Sequence, residues 1–146
     1  MLRVVKWSGG VLVILGLLIQ LYRPARTNPP TEQSRTLDAR VAVPAETAAV
    51  LKRACRDCHS HDTRWPWYSN VAPVSWFVID DVNHGRSHFN YSDWAKYPPD
   101  EAGRLLEKAC ELTRKGEMPL SIYVPMHPDA RLSQADIDAV CRLSAR

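Results

Sequence analysis

The chain has 146 residues, of which 19 are lysine or arginine and 16 are aspartate or glutamate, so its formal net charge is +3 at pH 7. Four of the basic residues and none of the acidic ones lie within the first 26 residues, which leaves the remainder at −1. The basic balance therefore belongs to the N-terminus and gives no argument for nucleic-acid binding. The remaining length suffices for one small hydrophobic core.

The N-terminal sequence MLRVVKWSGGVLVILGLLIQLYRPAR starts with basic residues and continues with an apolar run from Trp7 to Tyr22. This pattern resembles a signal peptide, but no small-x-small cleavage site follows the run. A helix over the run would be about 24 Å long, which is short for a bilayer core yet workable with the flanking residues. We predict an uncleaved signal anchor that forms a transmembrane helix over residues 1–23, with a cleaved signal peptide as the alternative.

The next segment, residues 24–43, reads PARTNPPTEQSRTLDARVAV. It is polar and contains prolines, which is typical of a tether. We predict a polar linker there and one globular domain over residues 44–146.

The domain is predicted to be all-α, because apolar residues recur at helical intervals and no strand pattern of comparable length is present. The third helical segment is the clearest, with prolines and acids at its start and Gly116 at its end. The fourth opens with Ser133 as N-cap and Asp136 three residues later, an acidic variant of the capping box. The four predicted helices cover residues 44–59, 72–85, 98–116 and 132–146.

Residues 55–59 read CRDCH, which fits the C-x-x-C-H attachment pattern of c-type haem. Two cysteines three residues apart share a face on a helical turn, so both thiols can reach the vinyl groups of one porphyrin. We predict one covalent haem c, with thioethers at Cys55 and Cys58 and with His59 as an axial ligand of the iron. Because bacteria attach haem c outside the cytoplasmic membrane, the domain is predicted to face the periplasm.

Two other chemistries use the C-x-x-C spacing. A zinc site usually has a second Cys/His pair at short spacing, whereas the remaining cysteines, Cys110 and Cys141, stand alone. A thioredoxin-like dithiol opens a helix after a strand of a βαβ unit, and no segment here has the pattern of such strands. Haem attachment therefore remains the favoured interpretation.

The other axial ligand is predicted to be Met118, in the segment KGEMPLSIY. It follows a helix stop and precedes Pro119 in a loop that leads to the last helix, as the axial methionine does in small monohaem cytochromes. His127, in PMHPDA, is the alternative ligand, and the neighbouring Met126 lacks a preceding helix stop. The other histidines receive no ligand role; these are His61, His84 and His88.

Aromatic and basic side chains near the motif are candidates for contacts with the haem. Trp65 and Trp67 could wall the porphyrin, or they could simply fill a small core. Arg64 and Arg86 are predicted to pair with the haem propionates. The Nδ1–H of a ligating histidine is typically held by a carbonyl, and the irregular stretch around residues 66–73 offers one.

Cys110 and Cys141 lie on the apolar faces of the two helices that flank the Met118 loop. In the periplasm such thiols oxidise when their Cα atoms come within about 7 Å. We predict a disulfide between them; the alternative is two buried thiols that pack as small hydrophobic groups.

Longer motifs add a resemblance to a family. The segments CRDCHSHDTRWPWYS, VAPVSW, HGRSHFNYSDW, KGEMPLSIY and HPDARLS occur in this order. They resemble the haem-binding domain family of bacterial membrane-anchored or exported monohaem proteins, which are similar to small c-type cytochromes. The resemblance covers roughly residues 44–143. It implies a small cytochrome c-like helical domain wrapped around one covalent haem, with Met118 in GEMP as the second ligand.

These features predict an electron carrier and not an enzyme, because His/Met ligation fills both axial sites and raises the reduction potential. The predicted partners are redox proteins at the cytoplasmic membrane, where a single N-terminal helix would hold the domain in the periplasm. The alternative is a sensor or enzyme for a gas or peroxide with an open or labile distal site. For that alternative, His127 is the one residue that could be nominated as a distal acid–base group.

Overall fold

The computed structural model describes residues 2–144, with side chains from Trp7 onward, and within this range it is helical without any β-strand. The prediction of an all-α fold is confirmed. Met1 and residues 145–146, at the outer ends of the predicted anchor and last helix, lie outside the described residues. The α-helices are α1 (Leu2–Leu18), α2 (Leu37–Arg40), α3 (Ala45–Ala54), α4 (Arg56–His59), α5 (Val74–His88), α6 (Pro99–Arg114) and α7 (Gln134–Cys141).

Short 3₁₀ turns complete the connections between these helices. They lie at Ile19–Leu21, Gln33–Arg35, Trp67–Asn70, Tyr91–Lys96, Val124–Met126 and Pro128–Ala130.

The observed helices follow the predicted segments with three differences. The first segment is divided in two, because the chain leaves the helical conformation at Cys55, where φ is −128°. The second segment continues three residues past Gly85 to His88. The capping box of Ser133 and Asp136 is present at the start of α7, but that helix ends at Cys141.

Helix α1 has 17 residues and ends at Leu18, where the 3₁₀ turn Ile19–Leu21 begins. Among the residues that the structure describes, no helix combines the length and the apolarity needed to cross a membrane. The transmembrane helix predicted over residues 1–23 is therefore not found.

Part of the segment 24–43, predicted as a linker, contacts the domain. Leu37 is fully buried and belongs to the hydrophobic core. Just upstream, the side-chain amide of Gln20 donates to the carbonyl of Ala72 at 3.0 Å and accepts from its N–H at 2.9 Å. The chain between α1 and α3 is thus held against the domain by both apolar and polar contacts.

The core lies between α3, α6, α7 and the aromatic turn that follows α5. Phe89 packs edge-to-face against Tyr91 and Trp94, with ring centroids 4.7 and 5.2 Å apart, a geometry that aromatic pairs prefer. This core also forms one side of the cavity described below. Its buried members are Leu37, Val50, Leu51, Phe89, Tyr91, Trp94, Leu106, Val140 and Leu143.

A disulfide joins α6 to α7 beside this core. Cys110 and Cys141, the pair considered in the sequence analysis, are bonded with their Cα atoms 4.6 Å apart. The link fixes the helix that precedes the Met118 loop to the last helix of the domain.

Candidate functional site

A cavity of about 430 Å³ opens between α4, α5, α6 and the loop after α6. Its volume lies within the range of roughly 300–1,000 Å³ that is usual for sites of small molecules and cofactors. Cys55, Cys58, His59 and Met118 all line it. The structure therefore brings the four predicted haem residues to one cavity, although Met118 is about sixty residues away from the others along the chain.

The break between α3 and α4 places the two cysteines. The N–H of Cys55 closes the last turn of α3 by donating to Leu51, and its carbonyl accepts from the N–H groups of Cys58 and His59 at 3.2 and 3.0 Å. The C-x-x-C-H segment is therefore one tight helical turn. Both thiols are free in the structure, so this turn is not closed by a disulfide.

The surroundings of the two thiols favour the protonated form. Burial raises the pKa of Cys55 to about 11 and that of Cys58 to about 12. A redox dithiol depends on the opposite shift, because the thiolate is the reactive form. These pKa values argue against a thioredoxin-like function for the pair. They are compatible with thiols that form thioethers with a cofactor.

His59 is oriented by the C-terminal end of α5. Its Nδ1 lies 3.0 Å from the carbonyl oxygen of Gly85 and 2.9 Å from that of Phe89. Nδ1–H is thus the donor, which leaves Nε2 as the nitrogen that can ligate a metal. Burial lowers the pKa of His59, so the imidazole is neutral, as metal ligation requires. The carbonyl expected from residues 66–73 comes from α5 instead.

Gly85 allows α5 to approach the C-x-x-C-H turn this closely. A Cβ at this position would lie 2.7 Å from the carbonyl oxygen of Cys58 and 3.2 Å from its Cβ. Such distances are shorter than van der Waals contact, so any side chain would push α5 away. The small residue therefore keeps the carbonyls of α5 within hydrogen-bonding distance of His59.

The Met118 loop, which comprises residues 115–123, is fixed at the end of α6. The N–H groups of Glu117 and Met118 both donate to the carbonyl of Leu112, at 3.0 and 3.2 Å. This reversal needs a residue with positive φ, and Gly116 provides it with φ of 69°. Met118 is half-buried and faces the cavity.

Asp57, which the sequence analysis did not single out, connects the two sides of the cavity. Only 8% of it is exposed, and its carboxylate accepts from Arg64 Nη2 at 3.0 Å and from the Tyr123 hydroxyl at 2.9 Å. Tyr123 lies in the Met118 loop and lines the cavity. One of the two residues between the cysteines thus holds the loop that carries Met118. The sequence did contain a signal for these two residues, because Asp57 belongs to the motif CRDCH and Tyr123 belongs to the motif KGEMPLSIY.

The other predicted contact residues do not line the cavity. Arg64 forms an ion pair with Asp57. Arg86 donates to the carbonyls of Ser60 and Thr27 at 2.7 and 2.8 Å. The Trp65 indole donates to Asn28 at 3.2 Å. Trp67 is 72% exposed. Their contacts with a haem stay a prediction.

His127 and Met126, considered as alternatives to Met118, are not among the residues that line the cavity either. The His127 ring stacks on Tyr123 with centroids 3.8 Å apart, and its Nδ1 lies 3.2 Å from the Tyr123 carbonyl. His127 thus supports the Met118 loop from outside. Met126 is exposed.

The residues that are present fit a haem. Apolar side chains from α6, α7 and the Met118 loop form the walls, which suits a porphyrin ring, while two thiols, an oriented imidazole and a thioether converge on the same space. The apolar wall residues are Leu105, Ala109, Leu112, Leu120 and Val140.

Comparison with known proteins agrees with this geometry. The family described as the haem-binding domain matches residues 14–145, which is most of the chain. The chain belongs to the haem-binding domain family. The resemblance inferred from the sequence motifs is confirmed, and the match begins within α1, well before residue 44. No curated protein and no solved structure gives a significant match.

Proposed function

We propose that this haem-binding domain carries one haem c, attached through thioethers at Cys55 and Cys58, and that His59 and Met118 are the axial ligands of its iron. One observation supports this most strongly. A single cavity is lined by all four residues, and the Nδ1 of His59 is held by two carbonyls in the manner of a metal-ligating histidine.

We further propose that the protein is an electron carrier. The bound haem supplies one-electron redox chemistry at the iron. The chain contributes the rest: α5 orients His59, the Met118 loop presents a thioether, and the apolar walls limit access of water to the iron. Ligation by methionine favours ferrous iron and hence a raised potential.

Thioether attachment in bacteria supports a periplasmic location, with redox proteins at the cytoplasmic membrane as partners. Helix α1 exposes a row of apolar side chains, which supports association with a membrane. Membrane fractionation of the native host tests this part: the protein should sediment with membranes and resist high-salt washing. Recovery in the soluble fraction would argue against it.

Two measurements test the haem assignment. The haem should stay with the polypeptide through acid–acetone extraction, since thioethers are covalent. The oxidised protein should show the weak long-wavelength methionine–iron band, and the reduced protein should bind CO slowly. Complete extraction of haem would contradict covalent attachment. Rapid CO binding by the wild-type protein would instead favour a sensor or an enzyme with an open distal site.

A further inference from the structure

Two histidines stand one helical turn apart beside the haem cavity. His84 and His88 lie on α5, both are exposed, and both line the cavity. Their Nε2 atoms are 3.1 Å apart, and their ring centroids are 4.5 Å apart. Neither residue contributes to the haem ligation proposed above, so the pair has no role yet.

This arrangement matches the geometry of chelation. Histidines at positions i and i+4 share one face of a helix, and helical zinc sites use the same spacing. Two nitrogens bound to one ion at about 2.0–2.1 Å lie about 2.8–3.4 Å apart for bond angles between a right angle and the tetrahedral value. The observed Nε2–Nε2 separation of 3.1 Å falls within this interval.

We propose that His84 and His88 form a site for one divalent transition-metal cation, of the class that includes Zn²⁺, Ni²⁺ and Cu²⁺. Imidazole nitrogen suits these ions, and the pair is open to solvent. No group of three or more candidate ligands converges anywhere in residues 2–144, so water completes the coordination. The Asp81 carboxylate, which lines the same cavity and interacts with His84, adds negative charge that favours a cation.

The site is independent of the haem assignment, because neither histidine ligates the iron in that proposal. A bound ion would nevertheless lie on the wall of the cavity that Cys58 and His59 also line.

Calorimetric titration of the full-length, haem-loaded protein with ZnCl₂ and with NiCl₂ tests this inference. Wild type should bind one equivalent of each ion. His84→Gln and His88→Gln should each weaken binding by roughly tenfold or more, because a single imidazole cannot chelate. Both side chains are exposed, so the variants should fold like wild type, as circular dichroism would verify.

Two matched controls use histidines outside the pair. His61→Gln alters a ring whose Nε2 contacts Asn90, and His127→Gln alters the ring stacked on Tyr123. Both controls should bind Zn²⁺ and Ni²⁺ as wild type does. Absence of binding to wild type, or an affinity in either His84→Gln or His88→Gln equal to that of wild type, would overturn the two-histidine site and leave the pair as an N–H···N hydrogen bond.

Discussion

His59 and Met118 reach the same cavity from two regions that are held in place differently. On the side of the C-x-x-C-H turn, His59 is fixed by two main-chain carbonyls of α5, and α5 is fixed by close packing at Gly85. In the second region, Met118 lies in a loop held by main-chain bonds to Leu112 and by the side-chain contact between Tyr123 and Asp57.

The difference bears on what each region can tolerate. A main-chain carbonyl and the backbone packing that places it change only when the fold changes, whereas a contact between two side chains can be removed by one substitution. We therefore expect changes near the cysteines and α5 to affect attachment of haem and stability. Changes in the Met118 loop should affect the spectrum, the potential and ligand access while the haem stays attached.

The largest expected effect is loss of attachment. The double substitution Cys55→Ala, Cys58→Ala removes both sulfurs that can form thioethers, so all haem should be released by acid–acetone extraction. The matched control is Cys110→Ser, Cys141→Ser, which removes two cysteines outside the cavity. Haem retained by the first variant would show that attachment does not use the C-x-x-C-H cysteines.

Next in size is the effect of Met118→Ala on the potential. Loss of a thioether ligand should lower the reduction potential by on the order of 100 mV, abolish the methionine–iron band and allow rapid CO binding. The haem should remain covalently attached, as the comparison of the two regions requires. Met126→Ala is the control, because Met126 is exposed and does not line the cavity. An altered band in the control but not in Met118→Ala would reassign the ligand.

The disulfide should contribute mainly to stability. Because it closes a loop with a sequence separation of 31 residues, the variant Cys110→Ser, Cys141→Ser should lose about 2–5 kcal/mol of unfolding free energy. Urea titration of wild type and variant measures this loss. If the midpoint were unchanged, the bridge would not brace α6 against α7.

A smaller loss is expected when α5 is pushed away from the cysteine turn. Gly85→Ala would place a Cβ 2.7 Å from the Cys58 carbonyl oxygen, and overpacking of this kind costs about 1–3 kcal/mol. The yield of covalent haem should fall as well, since His59 loses its carbonyl partners. Gly103→Ala in α6 is the control: a Cβ there meets nothing within 4 Å, so it should be neutral or stabilising. Equal stability of the two variants would contradict the close approach.

The parts of the site that sequence reasoning could predict are those set by local spacing. Cys55, Cys58 and His59 form one turn, so their order along the chain nearly determines their geometry, and Met118 was marked by a helix stop and a proline. The observed partners of Arg64 and Arg86 could not be found this way, because they depend on the burial of Asp57 and on carbonyls that only the fold brings near.

The same limit applies to long-range packing. The helix predicted over residues 72–85 ends at Gly85, whereas α5 continues to His88. The reason for Gly85 lies in its contact with Cys58, which is remote in sequence. Phe89 occupies the C-cap position of α5, and its N–H donates to the carbonyl of Gly85.

The smallest expected effect concerns the contact between the two regions. Tyr123→Phe removes the hydroxyl that donates to Asp57 at 2.9 Å and keeps the ring that stacks on His127. A hydrogen bond to a charged acceptor contributes at most about 1.5–3 kcal/mol to the free energy of unfolding. Arg64 also remains paired with Asp57 in this variant. The haem should therefore stay attached, while the methionine–iron band weakens and CO binds faster than in wild type but more slowly than in Met118→Ala.

Tyr68→Phe, which loses only a long contact of 3.4 Å to His127, is the control and should match wild type. If Tyr123→Phe bound CO no faster than Tyr68→Phe, the main-chain bonds to Leu112 would suffice to hold the loop, and the two regions would be equally rigid.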